Sequence, residues 1–73
     1  MGVSYRPLWV ELAKKDLKRI EFQEMTGISS NLLANMGKNE YISMKNLELI
    51  CRTMKLSPNE VIEFREEKGE SDE

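Results

Sequence analysis

Arg19 to Lys38 reads RIEFQEMTGISSNLLANMGK, and within it one short helical pattern stops at Gly27 while a second begins at once. Ile20, Phe22 and Met25 give the first pattern its apolar face. Thr26-Gly27 then ends it with the residue best able to take a positive φ, so the second helix can leave at a steep angle. Ile28 is apolar, and Ser29 is placed to cap the new helix by accepting a bond from one of its opening amides. From Ser29 to Met36 the helical wheel divides cleanly. Leu32, Leu33 and Met36 share one side, and Ser30, Asn31, Ala34, Asn35 and Lys38 share the other. The pattern predicts a helix-turn-helix.

The outer side of that second helix carries no acid. Small groups, amides and one cation suit a helix that lies closely in the major groove of duplex DNA. Asn bonds adenine through two atoms and Ser approaches either kind of base. Ala34, or Leu32 at the edge, can touch a thymine methyl. Ser30, Asn31, Ala34 and Asn35 are therefore the expected base-reading residues, and the lack of an Arg for guanine predicts an A/T-leaning site.

Upstream, Pro7 stands where a first helical residue belongs, because its missing N–H costs nothing there. A helix is expected over Pro7 to Lys15, with Leu8 and Leu12 buried and Trp9 read either as packing or as a functional aromatic. Asp16-Leu17-Lys18 is a connection, and Leu17 plugs the core. Downstream, Gly37 is expected to end the second motif helix and Asn39 to take unusual backbone angles. Ser43 caps a further helix whose buried stripe is Met44, Leu47, Ile50, Cys51 and Met54. Ser57-Pro58-Asn59-Glu60 is a capping box with Pro at the first helical position, and it predicts a short last helix holding Val61, Ile62 and Phe64.

The run LKRIEFQEM followed by TGISSNLLANMGK resembles the Cro-like, xenobiotic-response-element family of helix-turn-helix regulators, and ISMKNLELICRTMKLSPNEVIEF resembles that family's fourth and fifth helices. The likeness extends from about Tyr5 to Phe64. It implies an all-α, lambda-repressor-like five-helix bundle acting as a dimer on a two-fold operator. Gln23 stands where the family often has Ala, and Gly37 stands where it usually has a polar side chain. The family commonly contacts the DNA backbone with the residue that is Arg19 here. Read from the residues alone, Arg19 is equally a solvated charge facing Glu21 or Glu24. The remaining expected phosphate contacts are Lys38, Ser29 at the motif turn, and Ser43 with Lys45 at the start of the fourth helix, where open amides favour an anion.

Composition sets the limits. With 73 residues the chain is one small domain, which makes association useful for stability. Val61, Ile62 and Phe64 exceed what one short helix buries and are the expected homodimer surface. There is no run of roughly 18 apolar residues and no apolar stretch in MGVSYRPLW, so a cytoplasmic location without a membrane span or leader is expected. One cysteine and no histidine supply neither a zinc set nor a common general base, and neither enzyme activity, metal, cofactor nor small-molecule effector is expected.

The net charge is -2, distributed unevenly. Arg65 to Glu73 holds two bases and five acids, net -3, leaving nine bases against eight acids, net +1, in residues 1–64. The tail is expected to be disordered. The function expected is a DNA-binding transcriptional regulator, with repression its anticipated action. The near-neutral charge also supports a second reading, a protein-interaction module of the same fold that binds DNA weakly or not at all.

Overall fold

The computed structural model describes residues 2–65. In chain order it comprises β1 (Gly2–Ser4), α1 (Arg6–Lys14), α2 (Arg19–Thr26), α3 (Ser30–Gly37), α4 (Met44–Met54), a single 3-10 turn (Pro58–Glu60) and β2 (Glu63–Arg65). Each boundary has a local cause. α1 begins one residue before Pro7, which sits in the first turn where an N–H has no helical partner. Asp16 then turns the chain at φ 58°, and Leu17 packs against the core. α2 ends at Thr26, whose buried hydroxyl donates to the Phe22 carbonyl at 2.9 Å, and Gly27 follows at φ 78°. α4 ends as Lys55 takes the left-handed conformation, φ 59°.

Four helices and a two-stranded antiparallel sheet replace the expected five helices. Val61 to Phe64 does not continue as a helix. The capping box forms, with Glu60 accepting from the Ser57 N–H at 2.9 Å, but it closes only one 3-10 turn before the chain extends. β2 then pairs with β1 in the register Gly2↔Arg65, Val3↔Phe64 and Ser4↔Glu63. Paired with β1, the segment satisfies its backbone on the other end of the chain rather than on itself. Arg65 is thus the last residue of a strand. The expected disordered tail otherwise lies outside the described residues.

Tyr5, Leu8, Phe22, Met36, Ile50 and Val61 are the largest fully buried side chains. They join both chain ends to all four helices in one core. Tyr5 also ties the loop after α3 in place, since its N–H donates to Asn39 Oδ1 at 3.3 Å and its hydroxyl donates to the Glu40 carbonyl. Burial raises the Tyr5 pKa and keeps that hydroxyl a donor. Asn39 accepts this bond at φ 61°, the unusual conformation expected of it. Gly37, by contrast, is the last residue of α3 and not a left-handed stop; Lys38 follows at φ -98°.

Several expected core residues lie outside. Ile20 and Met25 are about half exposed, because α2 spans only two turns and turns Phe22 and Thr26 inward instead. Met44, at the first position of α4, is 77% exposed, leaving Leu47, Ile50 and Met54 as the buried stripe with Cys51 beside it. Burial, then the nearby Glu60, raises the Cys51 pKa, in keeping with a packing role for the thiol. No helix among the described residues is long and apolar enough to cross a membrane.

Candidate nucleic-acid interface

The site is built on α3 and its supports. Ser29, extended at φ -75° and ψ 161°, accepts from the Leu32 N–H at 3.0 Å, the cap expected from the sequence. Gln23 on α2 adds a latch across the turn. Its amide donates to the Ile28 carbonyl at 3.3 Å and to Ser30 Oγ at 3.1 Å, linking α2, the turn and the first residue of α3. Sequence reasoning did not find this role, although it marked Gln23 as unusual for its position.

With α3 fixed, Leu32 and Leu33 pack against the core and Met36 is fully buried. Ser30, Asn31, Ala34 and Lys38 are exposed, and Asn35 is half-buried. The five outer-face residues thus lie on one open surface without an acid among them. Ser30 spends an acceptor position on Gln23, which leaves its hydroxyl hydrogen free to donate. The Asn31 side chain has no hydrogen-bond partner among the described residues.

The expected phosphate ligands are more dispersed. Ser43 repeats the Ser29 arrangement at the start of α4, accepting from the Asn46 N–H at 3.1 Å, and Lys45 is exposed in that first turn. The opening of α2 is less hospitable to an anion, since Glu21 accepts the Lys18 N–H there at 2.7 Å. Arg19 pairs with neither Glu21 nor Glu24. Its guanidinium lies over the Trp9 ring, 3.9 Å from the ring centroid. Trp9 meets the buried Phe22 edge-on, with centroids 6.4 Å apart at 87°.

Of the three expected partner-facing residues, Val61 is fully buried in the core and cannot meet another chain. Ile62 is partly covered, and Phe64 is 77% exposed on β2.

The sequence profile of the Cro/C1-type HTH DNA-binding domain matches residues 7–67, which spans the four helices apart from the first residue of α1. The chain belongs to that family. Its relatives are regulators by name. The Cro/C1-type chain is 33% identical over 61 residues to the uncharacterized HTH-type transcriptional regulator YozG of Bacillus subtilis (strain 168), covering 81% of this chain and 73% of that protein. It is also similar to the crystal structure of the transcriptional regulator VanUg, with a TM-score of 0.86 and 36% identity over 90% of this chain and 88% of that one. The recognised family and the helix-turn-helix fold match the expectation drawn from Arg19 to Lys38.

Proposed function

We propose that this Cro/C1-type chain is a sequence-specific DNA-binding transcriptional regulator that inserts α3 in the major groove. The supporting observation is the acid-free, exposed face of Ser30, Asn31, Ala34 and Lys38, held in place by the Ser29 cap and the Gln23 latch. Asn31 and the half-buried Asn35 read bases together with Ser30 and Ala34. Lys38, Lys45, Arg19 and the hydroxyls of Ser29 and Ser43 hold phosphates, which set orientation rather than preference. Repression, by simple occupancy of the operator, is the action proposed.

The regulator acts as a homodimer, because one short helix gains affinity and register by doubling. Its two copies of α3 lie roughly 34 Å apart, one duplex turn. Phe64, exposed on β2, is the residue best placed to meet a second copy. Selection of bound sequences from random duplex tests the reading. An A/T-leaning site with two-fold symmetry is expected, and sedimentation of the complex gives two chains per site.

A second reading is supported by the exposed Tyr41, Met44 and Phe64 and by the net charge of only +1 over residues 1–64. Here the fold serves protein association and binds DNA weakly or not at all. Gel shifts at low and moderate salt separate the two, since binding carried by phosphates weakens steeply as salt rises.

A further inference from the structure

We propose that Trp9 and Gly37 are positioning residues that hold the Arg19 guanidinium as a preformed phosphate clasp at the edge of α3. The inference rests on the DNA-binding reading above and goes beyond it, since neither Trp9 nor Gly37 is placed at the interface by that reading. Trp9 stands on α1, Arg19 opens α2 and Gly37 closes α3, so the cluster joins three helices. The Arg19 guanidinium stacks at 3.9 Å on the Trp9 ring. Stacking uses one flat face of the cation and leaves its in-plane N–H donors directed outward. Among the described residues none of those donors has a hydrogen-bond or ion-pair partner, and the side chain is exposed.

Gly37 lies beside the guanidinium. A Cβ added there would lie 3.3 Å from Arg19 Nη1, closer than such atoms normally approach. Gly37 is not at a positive φ, so backbone conformation does not require glycine here; its bare Cα leaves room beside the arginine, which a side chain would make shift by a few tenths of an ångström. The platform beneath is rigid, because Trp9 meets the fully buried Phe22 edge-on. A long arginine normally loses much rotamer freedom when it captures an anion. Stacked on Trp9 and beside Gly37, Arg19 has lost part of that freedom beforehand, and its planar fork matches the two oxygens of a backbone phosphate.

The test titrates a mixed-sequence duplex with the whole chain across a salt series and follows thermal unfolding of each variant in parallel. Arg19→Ala should weaken binding by about tenfold and make the logarithmic salt slope shallower by about one unit per bound subunit. Gly37→Val should keep the fold, displace Arg19, and reproduce part of both changes. It should add nothing in the Arg19→Ala background. Trp9→Leu should reproduce part of the Arg19→Ala loss, because Arg19 keeps its charge but not its platform, while Trp9→Phe, which keeps a ring under the cation, should restore most of the affinity. If Trp9→Leu fails to fold, the Gly37→Val cycle decides. An unchanged salt slope in Arg19→Ala, with the wild type binding normally, overturns the clasp and leaves the DNA reading intact. A loss in Gly37→Val that persists undiminished in the Arg19→Ala background also overturns it, because Gly37 would then act on the duplex directly. A wild type that binds no duplex at any salt overturns both.

Discussion

α3 and α4 open in the same way and present different chemistry. Each begins with a serine in extended conformation, Ser29 or Ser43, whose hydroxyl accepts from the amide three residues on. Each also gives the core a fully buried residue, Met36 or Ile50. Outside, α3 shows amides, a hydroxyl and a methyl. α4 shows Met44 and Leu49 together with Glu48 and Arg52, whose charges satisfy each other at 2.9 Å. A serine-capped helix N-terminus is therefore common to both, and it is the outer face of α3, free of acids, that is proposed to read bases. For α4 the proposed role is that of Ser43, Lys45 and the amides of its first turn, groups that hold a phosphate without distinguishing a sequence.

The largest effects should show the two helices to be equivalent inside. Met36→Ala and Ile50→Ala should each lower stability by about 2–5 kcal/mol in urea denaturation, because both leave a cavity where no solvent reached before. A loss several-fold smaller for Met36 would mean that α3 is a loosely docked element rather than a fixed one. Next, Ser29→Ala and Ser43→Ala should each cost about 1 kcal/mol of stability. Measured on the folded fraction, each should also bind DNA more weakly, since the hydroxyl is proposed to hold a phosphate; unchanged binding would remove that contact.

The outer faces should then diverge. Glu48→Ala should lower stability by about 0.3–0.5 kcal/mol, the scale of an exposed pair one helical turn apart, and leave preference among duplexes unchanged. Altered preference in this variant would put α4 at the bases and dissolve the distinction between the helices. The smallest expected effect concerns pH and lies at the far end of α4. The Ser57 backbone N–H, and then its hydroxyl, hold the Glu60 carboxyl below its ordinary pKa. Such a depressed group contributes stability above its unfolded pKa, and that contribution fades as pH falls through the lower folded value. Glu60→Gln should flatten this acid limb of the stability profile slightly; an unchanged limb would mean that the box does not persist in solution.

Short-range chemistry made the helix-turn-helix legible. Gly27 offers its positive φ, Ser29 and Ser43 offer hydroxyls to amides three residues away, and Asn39 tolerates the left-handed turn it was expected to adopt. Each of these is settled within a few residues. The sheet was not legible, because Val3↔Phe64 pairs opposite ends of the chain and strands of three residues are too short to establish an alternating pattern. Val61, Ile62 and Phe64 consequently read as one apolar helix, whereas the extended backbone sends Val61 inward and Phe64 outward. Ile20, Met25 and Met44 fell on an apolar side of a wheel, but two-turn helices and helix starts have too little neighbouring surface to cover every such position. The Arg19–Trp9 stack and the Gln23 latch join side chains on separate elements or across a turn, and no spacing rule specifies either.

α3 is the helix proposed to read base identity. The most direct test of that role is the affinity of Asn31→Ala, compared with wild type and Lys45→Ala, for a selected duplex and for a scrambled one at several salt concentrations. Asn31 is exposed on α3 without a partner among the described residues, so its removal should leave the fold intact. Asn31→Ala should lose about 1–3 kcal/mol on the selected duplex, relax preference at one position, and bind scrambled DNA as wild type does. Lys45→Ala should weaken both duplexes alike and make the salt slope shallower by about one unit per subunit. A folded Asn31→Ala chain that still separates the two duplexes as well as wild type does would contradict the assignment of α3 as the reading helix.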